Sequence, residues 1–105
     1  GLAFKENCPD LRNTRVVDII DELNGYHTTI DVYDPWVNAE EAKEEYGIDL
    51  VESPAAGDYD AIILAVGHNQ FKTLGSKGIR AFGKENSVLF DVKYVLPKNA
   101  VDARL

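Results

Sequence analysis

Ala61-Ile62-Ile63-Leu64-Ala65-Val66 is the longest continuous apolar run in the sequence. It shows no alternation with polar residues, which is typical of a strand that is covered on both faces. Residues 87–91, Ser-Val-Leu-Phe-Asp, form a shorter run of the same character. Strands of this kind occur in parallel sheets, where crossover helices cover both faces. The two runs therefore predict a parallel sheet flanked by helices.

Two helical segments precede these strands. Apolar residues recur at helical spacing over residues 16–23, with Asn13 or Thr14 as the N-cap and Gly25 as part of the stop. Residues 39–46 are rich in Glu, Ala and Lys, which predicts a solvated helix that ends at the following glycine.

Weaker signals complete the alternation of strands and helices. β-branched and aromatic residues at 28–33 predict a strand, residues 48–51 a shorter one, and residues 71–74 and 79–82 two short helical turns. We therefore predict an α/β fold of the Rossmann-like type. It is a three-layer sandwich around a mostly parallel sheet, in a single domain over residues 1–105.

The first residues predict a sheet that lacks part of one strand. Residues 1–4, Gly-Leu-Ala-Phe, resemble the end of a strand that leads into a loop, and the chain contains no Met. We interpret the chain as a fragment of a longer protein, and we expect the first strand of its sheet to be truncated.

Composition excludes several classes of protein. The 105 residues carry 18 Asp and Glu against 11 Lys and Arg, a net charge of −7, which argues against electrostatic binding to nucleic acid or to an anionic membrane. No apolar run is long enough to span a bilayer. The single cysteine excludes an internal disulfide framework and a multi-cysteine zinc site, so no metal site is predicted and a reducing, cytoplasmic setting is expected.

The candidate site lies in the loops at one end of the predicted sheet. In α/β sheets, ligands bind beyond the carboxyl ends of the strands. Those loops are residues 5–12, 34–38, 67–70 and 91–94.

Lys5 and Arg12 share the first of these loops, just before a helix N-terminus. Two cations beside free backbone N–H groups can bind phosphate, and they can equally be solvated surface charges. Asp34 follows a predicted strand, where a Rossmann domain places a ribose-binding acid. Because no glycine-rich motif accompanies it, and because Asp-Pro begins turns, we favour a turn at Asp34.

Other candidates carry weaker signals. His68 is a potential acid–base group, but no Ser, Cys or acid stands at a recognisable spacing, so a polar loop residue is favoured. Cys8, alone before a proline, is more often incidental than a nucleophile. Asp91 and Lys93 lie in the ligand zone and are otherwise an exposed ion pair of little energetic weight.

The first fourteen residues carry a family resemblance. Gly-Leu-Ala-Phe-Lys-Glu-Asn-Cys-Pro-Asp-Leu-Arg-Asn-Thr is similar to the motif that opens the C-terminal, UDP-binding domain of the UDP-glucose/GDP-mannose dehydrogenase family. Val-Tyr-Asp-Pro at 32–35 and Leu-Phe-Asp-Val-Lys at 89–93 match further on, in the same order. The ending at 91–93 and the last residues, 102–105, look most like the branch that acts on UDP-N-acetylhexosamines.

The resemblance implies roles for four residues. Phe4 and Lys5 match a pair that contacts the UDP-sugar, and Lys93 lies in the region of a further substrate contact. Lys93 stands where the UDP-glucose branch has an arginine-rich segment. Arg12 matches an arginine that reaches toward NAD. Cys8 stands where the family usually has Thr, and the family's catalytic cysteine lies in a glycine-rich central segment that is absent from this chain. The resemblance therefore implies that Cys8 is not the nucleophile, and no catalytic residue is expected in this chain.

The resemblance also implies the activity of the whole enzyme. It would oxidise the C6 alcohol of a UDP-hexose or UDP-N-acetylhexosamine to a carboxylate in two NAD-dependent hydride transfers, through a thiohemiacetal on a cysteine outside this chain. The partners implied are the UDP-sugar, the N-terminal and central domains of the same enzyme, and further copies in a homo-oligomer. The alternative is a free-standing nucleotide- or phosphate-binding module.

Overall fold

Helices alternate with parallel strands in the computed structural model, which describes residues 1–104. The helices are α1 (Val16–Asn24), α2 (Ala39–Tyr46) and α3 (Asn69–Arg80), and the strands are β1 (Tyr59–Leu64), β2 (Gly83–Asp91) and β3 (Ala103–Arg104). A 3₁₀ turn at Lys98–Ala100 precedes β3. The sheet order is β1-β2-β3, and both pairings are parallel. The predicted α/β, Rossmann-like class is confirmed.

Two apolar clusters form the core. One joins the first loop to the two N-terminal helices, and its buried members are Leu2, Ala3, Leu11, Val37 and Ala42. The other joins the sheet to α3, and its buried members are Leu64, Phe71, Ile79, Leu89 and Leu96. The carboxyl ends of β1 and β2 lie side by side, since Leu64 aligns with Asp91. The loops that follow these strands are therefore neighbours.

Helix α2 has the predicted bounds because its ends are fixed by local chemistry. The Asn38 side chain accepts hydrogen bonds from the amides of Glu40 and Glu41 at the N-terminus. Gly47 ends the helix in the left-handed conformation, with φ 67°.

Helix α3 joins the two short helical turns that the sequence predicted. Gly75 interrupts it with φ 68° and ψ 179°, a backbone conformation that is essentially restricted to glycine. The prediction of two separate turns was wrong in extent but placed the interruption in the right segment.

The prediction of a strand at residues 28–33 is wrong, and the shorter strand predicted at 48–51 also forms only a single bridge. Only Val32 and Leu50 form an isolated parallel bridge, and the Val51 amide donates to the Val32 carbonyl at 2.9 Å. A strand needs partners along its length, and residues 28–31 have no ladder partner among the described residues.

A groove of about 530 Å³ explains that missing pairing. Residues 28–33, β1 and the apolar face of α1 all contribute to its lining. Consistent with this open space, α1 has no fully buried residue. Gly1 also lines the groove, and a Cβ there would lie 2.6 Å from the Val66 Cβ, so only glycine fits so close to the end of β1. Residues 1–4 themselves are not in a strand.

No helix among residues 1–104 is long and apolar enough to cross a membrane. The same residues contain no cluster of three or more His, Cys, Asp or Glu side chains arranged to hold a metal ion.

Candidate functional site

The loops that follow the strands meet around Gly67. A Cβ placed on this buried glycine would lie 3.2 Å from Glu6 Oε2, 3.2 Å from Val95 Cγ2 and 3.9 Å from Lys72 Cε. These three residues belong to the first loop, the loop after β2 and the first turn of α3. The predicted convergence of loops at the carboxyl end of the sheet is therefore observed.

Asp34 is the main acceptor of this region. Its Oδ2 accepts hydrogen bonds from the amides of Leu2 (2.7 Å) and Ala3 (2.9 Å), and its Oδ1 accepts from the Trp36 amide (2.8 Å). The bond to Trp36, two residues on, is the turn that the Asp-Pro sequence predicted. The bonds to Leu2 and Ala3 fix the start of the first loop against the end of residues 28–33.

His68 is the fourth partner of that carboxylate. Its Nε2 lies 2.9 Å from Asp34 Oδ2, and its Nδ1 accepts a hydrogen bond from the Asn7 amide at 2.9 Å. Because Nδ1 is an acceptor, the neutral ring carries its proton on Nε2 and donates it to Asp34. The His68 side chain is 0% exposed. We refer to these two side chains as the Asp34–His68 pair.

Hydrogen bonds, rather than burial, set the charge of Asp34. Burial alone would raise the pKa of this carboxyl, but the bonds from His68 and from the amides of Ala3, Leu2 and Trp36 lower it to about 2. Asp34 is therefore an anion that structures the loop, not a proton donor near neutral pH.

Further bonds hold the flanks of the first loop. The Leu2 carbonyl accepts from the buried Thr14 hydroxyl at 2.6 Å, and the Leu11 carbonyl accepts from the Tyr46 hydroxyl at 2.6 Å. Asn7 Oδ1 accepts from the Asn69 amide at the start of α3 at 2.8 Å. The flanks are thus fixed from several elements, while residues 4–6 between them are exposed.

The predicted contact residues lie on the solvent side of this arrangement. Phe4 is 51% exposed, and Lys5 and Lys93 are exposed. Neither lysine forms an ion pair within residues 1–104. Arg12 is also exposed, but its Nε and Nη2 donate to the two carboxylate oxygens of Asp10 at 3.0 and 3.1 Å. These bonds lower the pKa of Asp10.

Asp91 and Lys93 do not form the exposed ion pair that was considered from sequence. Asp91 is 0% exposed, and its two carboxylate oxygens accept from the amides of Lys93 (3.1 Å) and Leu96 (2.8 Å). The carboxylate thereby shapes the loop after β2, and Lys93 in that loop is exposed.

The sequence itself places this domain in a known family. A sequence profile described as "UDP-glucose/GDP-mannose dehydrogenase family, UDP binding domain" matches residues 1–98. The chain belongs to this family.

Relatives within the UDP-glucose/GDP-mannose dehydrogenase family are close. The chain is 56% identical over 105 residues to the UDP-N-acetyl-D-glucosamine 6-dehydrogenase of Salmonella typhi and 57% identical over 105 residues to that of Pseudomonas aeruginosa. Both alignments cover 100% of this chain and 25% of the relative. Protein CapL of Staphylococcus aureus is 38% identical over 96 residues, which are 91% of this chain and 22% of CapL. The chain thus spans about a quarter of the length of the curated relatives it matches.

For this UDP binding domain, sequence reasoning missed the acid that pairs with His68. It found no acid near His68 because Asp34 lies 34 positions away along the chain. It also gave no role to Asn7, whose backbone φ is 54° and whose amide contacts the ring. One signal was available: Asp34 and His68 each follow a predicted strand, and such positions meet at one edge of a parallel sheet.

Proposed function

We propose that this domain supplies the UDP-sugar half-site of an NAD-dependent UDP-sugar 6-dehydrogenase. The enzyme oxidises the C6 alcohol of a UDP-N-acetylhexosamine or a UDP-hexose to a carboxylate in two hydride transfers. The match of residues 1–98 to the family's UDP binding domain carries the proposal. The two relatives at 56% and 57% identity are UDP-N-acetyl-D-glucosamine 6-dehydrogenases, which favours a UDP-N-acetylhexosamine as the substrate.

Phe4 and Lys5 are the residues that we assign to the UDP-sugar. Lys5 is exposed and has no anionic partner within residues 1–104, so its ammonium group is available to a diphosphate. Phe4 presents an exposed ring beside it. Both side chains project from a loop whose flanks are fixed, which lowers the entropy lost when a ligand binds. We assign Lys93, on the loop after β2, to a further substrate contact.

We assign Arg12 to a contact at the periphery of NAD. The other contacts to NAD come from the rest of the enzyme. Asp10 occupies two of the five guanidinium N–H donors, which leaves the others free for a phosphate. The chain has no G-x-G-x-x-G motif to bind a dinucleotide. When bound, NAD accepts the hydride from the substrate; this chain contributes orientation and charge.

The rest of the proposed enzyme completes the site. The N-terminal and central domains supply the dinucleotide fold and the catalytic residues, and the whole protein forms a homo-oligomer. We place it in the cytoplasm, in line with a domain whose single cysteine is free.

Replacement of Lys5 in the full-length enzyme tests the proposal. Lys5→Ala should weaken binding of the UDP-sugar by about 1.5–3 kcal/mol, the range for a hydrogen bond to a charged group. The corresponding rise should appear in KM for the UDP-sugar, with kcat nearly unchanged. The diphosphate is remote from C6 and is bound alike in the ground and transition states. Loss of the Lys5 contact to it therefore appears in KM. Arg12→Ala should instead raise KM for NAD.

A matched control is Lys84→Ala. Lys84 is also an exposed lysine, and it pairs with Asp60 on β1 rather than with the first loop. It should leave both KM values unchanged. If Lys5→Ala behaves like this control, the first loop is not the diphosphate site.

A further inference from the structure

The exposed part of the first loop is suspended between two backbone anchors. On one side, the amides of Leu2 and Ala3 donate to Asp34 Oδ2. On the other side, the amide of Asn7 donates to His68 Nδ1. Three residues, 4–6, lie between the anchors, and all three are exposed. Within this span the Phe4 amide also donates to the Asp10 carbonyl at 2.8 Å. The conformation of residues 4–6 therefore depends on that bond and on where the two anchors are held.

One imidazole ring connects the two anchors. His68 contacts Asp34 through Nε2 at 2.9 Å and Asn7 through Nδ1 at 2.9 Å, with one ring nitrogen for each. The ring is fully buried and packs beside Phe71, with the ring centroids 5.5 Å apart, and beside Trp36, at 6.1 Å. The bond to Asp34 is buried, and the bond to the Asn7 amide is part-buried. A rigid ring thus sets the span that residues 4–6 must bridge.

We propose that His68 is a positioning residue for the UDP-sugar: by joining Asp34 to the Asn7 amide, it holds residues 4–6 in the conformation that presents Phe4 and Lys5 to the ligand. This inference rests on the assignment of Phe4 and Lys5 to the UDP-sugar. His68 does not contact the substrate itself, because its side chain is buried and both ring nitrogens are already bonded within the domain.

The ring nitrogens have separable roles, and two amide substitutions divide them. In His68→Asn, the shorter side chain places an amide oxygen near the Nδ1 position, so it can still accept from Asn7 but no longer reaches Asp34. In His68→Gln, the longer side chain places its amide near the Nε2 position, so it can still donate to Asp34 but leaves the Asn7 amide without its acceptor. His68→Ala removes both bonds.

The experiment uses these variants in the full-length enzyme, with two readouts. Steady-state kinetics give KM for the UDP-sugar and kcat, and hydrogen–deuterium exchange with mass spectrometry gives the protection of the peptide that contains residues 4–7. We expect His68→Ala to speed exchange in that peptide and to raise KM about tenfold, the effect of one lost buried hydrogen bond, with kcat changed less than twofold. The expected order of KM is His68→Gln above His68→Asn, because only Asn keeps the acceptor for Asn7.

Phe71→Leu is the matched control for a purely structural effect. Phe71 is buried beside the same ring but makes no hydrogen bond to the first loop. It should lower the melting temperature without a change in KM or in exchange at residues 4–7. Equal KM effects of Phe71→Leu and the His68 variants, unchanged exchange in His68→Ala, or a higher KM for Asn than for Gln would each overturn the inference. If His68→Ala does not fold, the order of KM between His68→Asn and His68→Gln still tests the inference.

The two readouts separate this inference from the proposed function. Faster exchange at residues 4–7 with an unchanged KM would support the role of His68 in holding the loop, and would show that the loop is not the diphosphate site. Lys5→Ala with a raised KM, beside His68→Ala without any effect, would support the proposed function and overturn the inference.

Discussion

At the scale of single residues, the Asp34 carboxylate organises the loops at the carboxyl end of the sheet. It accepts from three backbone amides and from His68, and these donors come from three separate segments of the chain. A buried carboxylate is costly unless such donors surround it, and removal of one partner leaves the others unsatisfied. Replacement of Asp34 by a neutral side chain should therefore destabilise the fold as well as the loop.

The lowered pKa of Asp34 predicts a loss of stability in acid. Its pKa is about 2 in the folded domain against 3.8 ordinarily, so its contribution is complete above about pH 5 and is lost as the pH falls from about 4 to about 2. We expect the free energy of unfolding to fall by about 2 kcal/mol from this group. Urea unfolding at pH 5.5 and pH 2.5 measures it. Asp34→Asn should abolish this component, whereas Asp49→Asn, at an exposed pair with Lys43, should retain it.

Cys8 provides a second test at this scale. It is half-buried in the first loop and forms no disulfide. Because the resemblance of the first loop implies no catalytic role for Cys8, Cys8→Ser in the full-length enzyme should keep most of kcat. A loss of about a thousandfold, the scale seen when a covalent nucleophile is removed, would instead make Cys8 the nucleophile.

At the scale of secondary-structure elements, Gly75 is a position where a side chain would strain the backbone without any steric clash. It divides α3 with φ 68° and ψ 179°, and a Cβ there would meet no neighbouring atom within 4 Å. The cost of Gly75→Ala is thus backbone strain alone, about 1–3 kcal/mol in the free energy of unfolding. Urea unfolding measures it, with the neighbouring Ser76→Ala as the control. If Gly75→Ala instead raises the free energy of unfolding, the helix straightens at this position and the backbone strain is not needed for the fold.

Elements defined by local chemistry were predictable, and those defined by partners were not. Helix α2 has the predicted bounds because its cap Asn38 and its stop Gly47 adjoin it in sequence. The strand expected at 28–33 formed only one bridge, because strand formation depends on neighbours that local sequence does not reveal. The same limit hid the Asp34–His68 pair, whose members come from separate loops.

At the scale of the whole molecule, the groove beside β1 limits what the isolated domain can do. Residues 28–33 and β1 both line this groove, and so does Gly1, which precedes the Asp34-bonded Leu2 and Ala3. Among residues 1–104, β1 has a ladder partner only in β2, so its other edge carries backbone groups without one. The start of the first loop is held there by its bonds to the Asp34 carboxylate.

We therefore expect the isolated 105-residue chain to bind UDP more weakly than the full-length enzyme does. Titration calorimetry with UDP on both proteins gives the comparison, and equal affinities would show that neither the groove nor the remaining domains matter for binding. The isolated chain should also form no NADH from a UDP-sugar and NAD, since it has no dinucleotide motif.

The contacts of the first loop also bear on the order in which the domain folds. The bonds of Leu2 and Ala3 to Asp34 span 32 and 31 positions, and that of Asn7 to His68 spans 61. Closing loops of this length costs chain entropy that short-range helical contacts do not, so such contacts are slow to form. The His68 end of these contacts lies just beyond β1. The segment that presents Phe4 and Lys5 should be among the last parts of the domain to become ordered during refolding, after α2 and the β1–β2 pair.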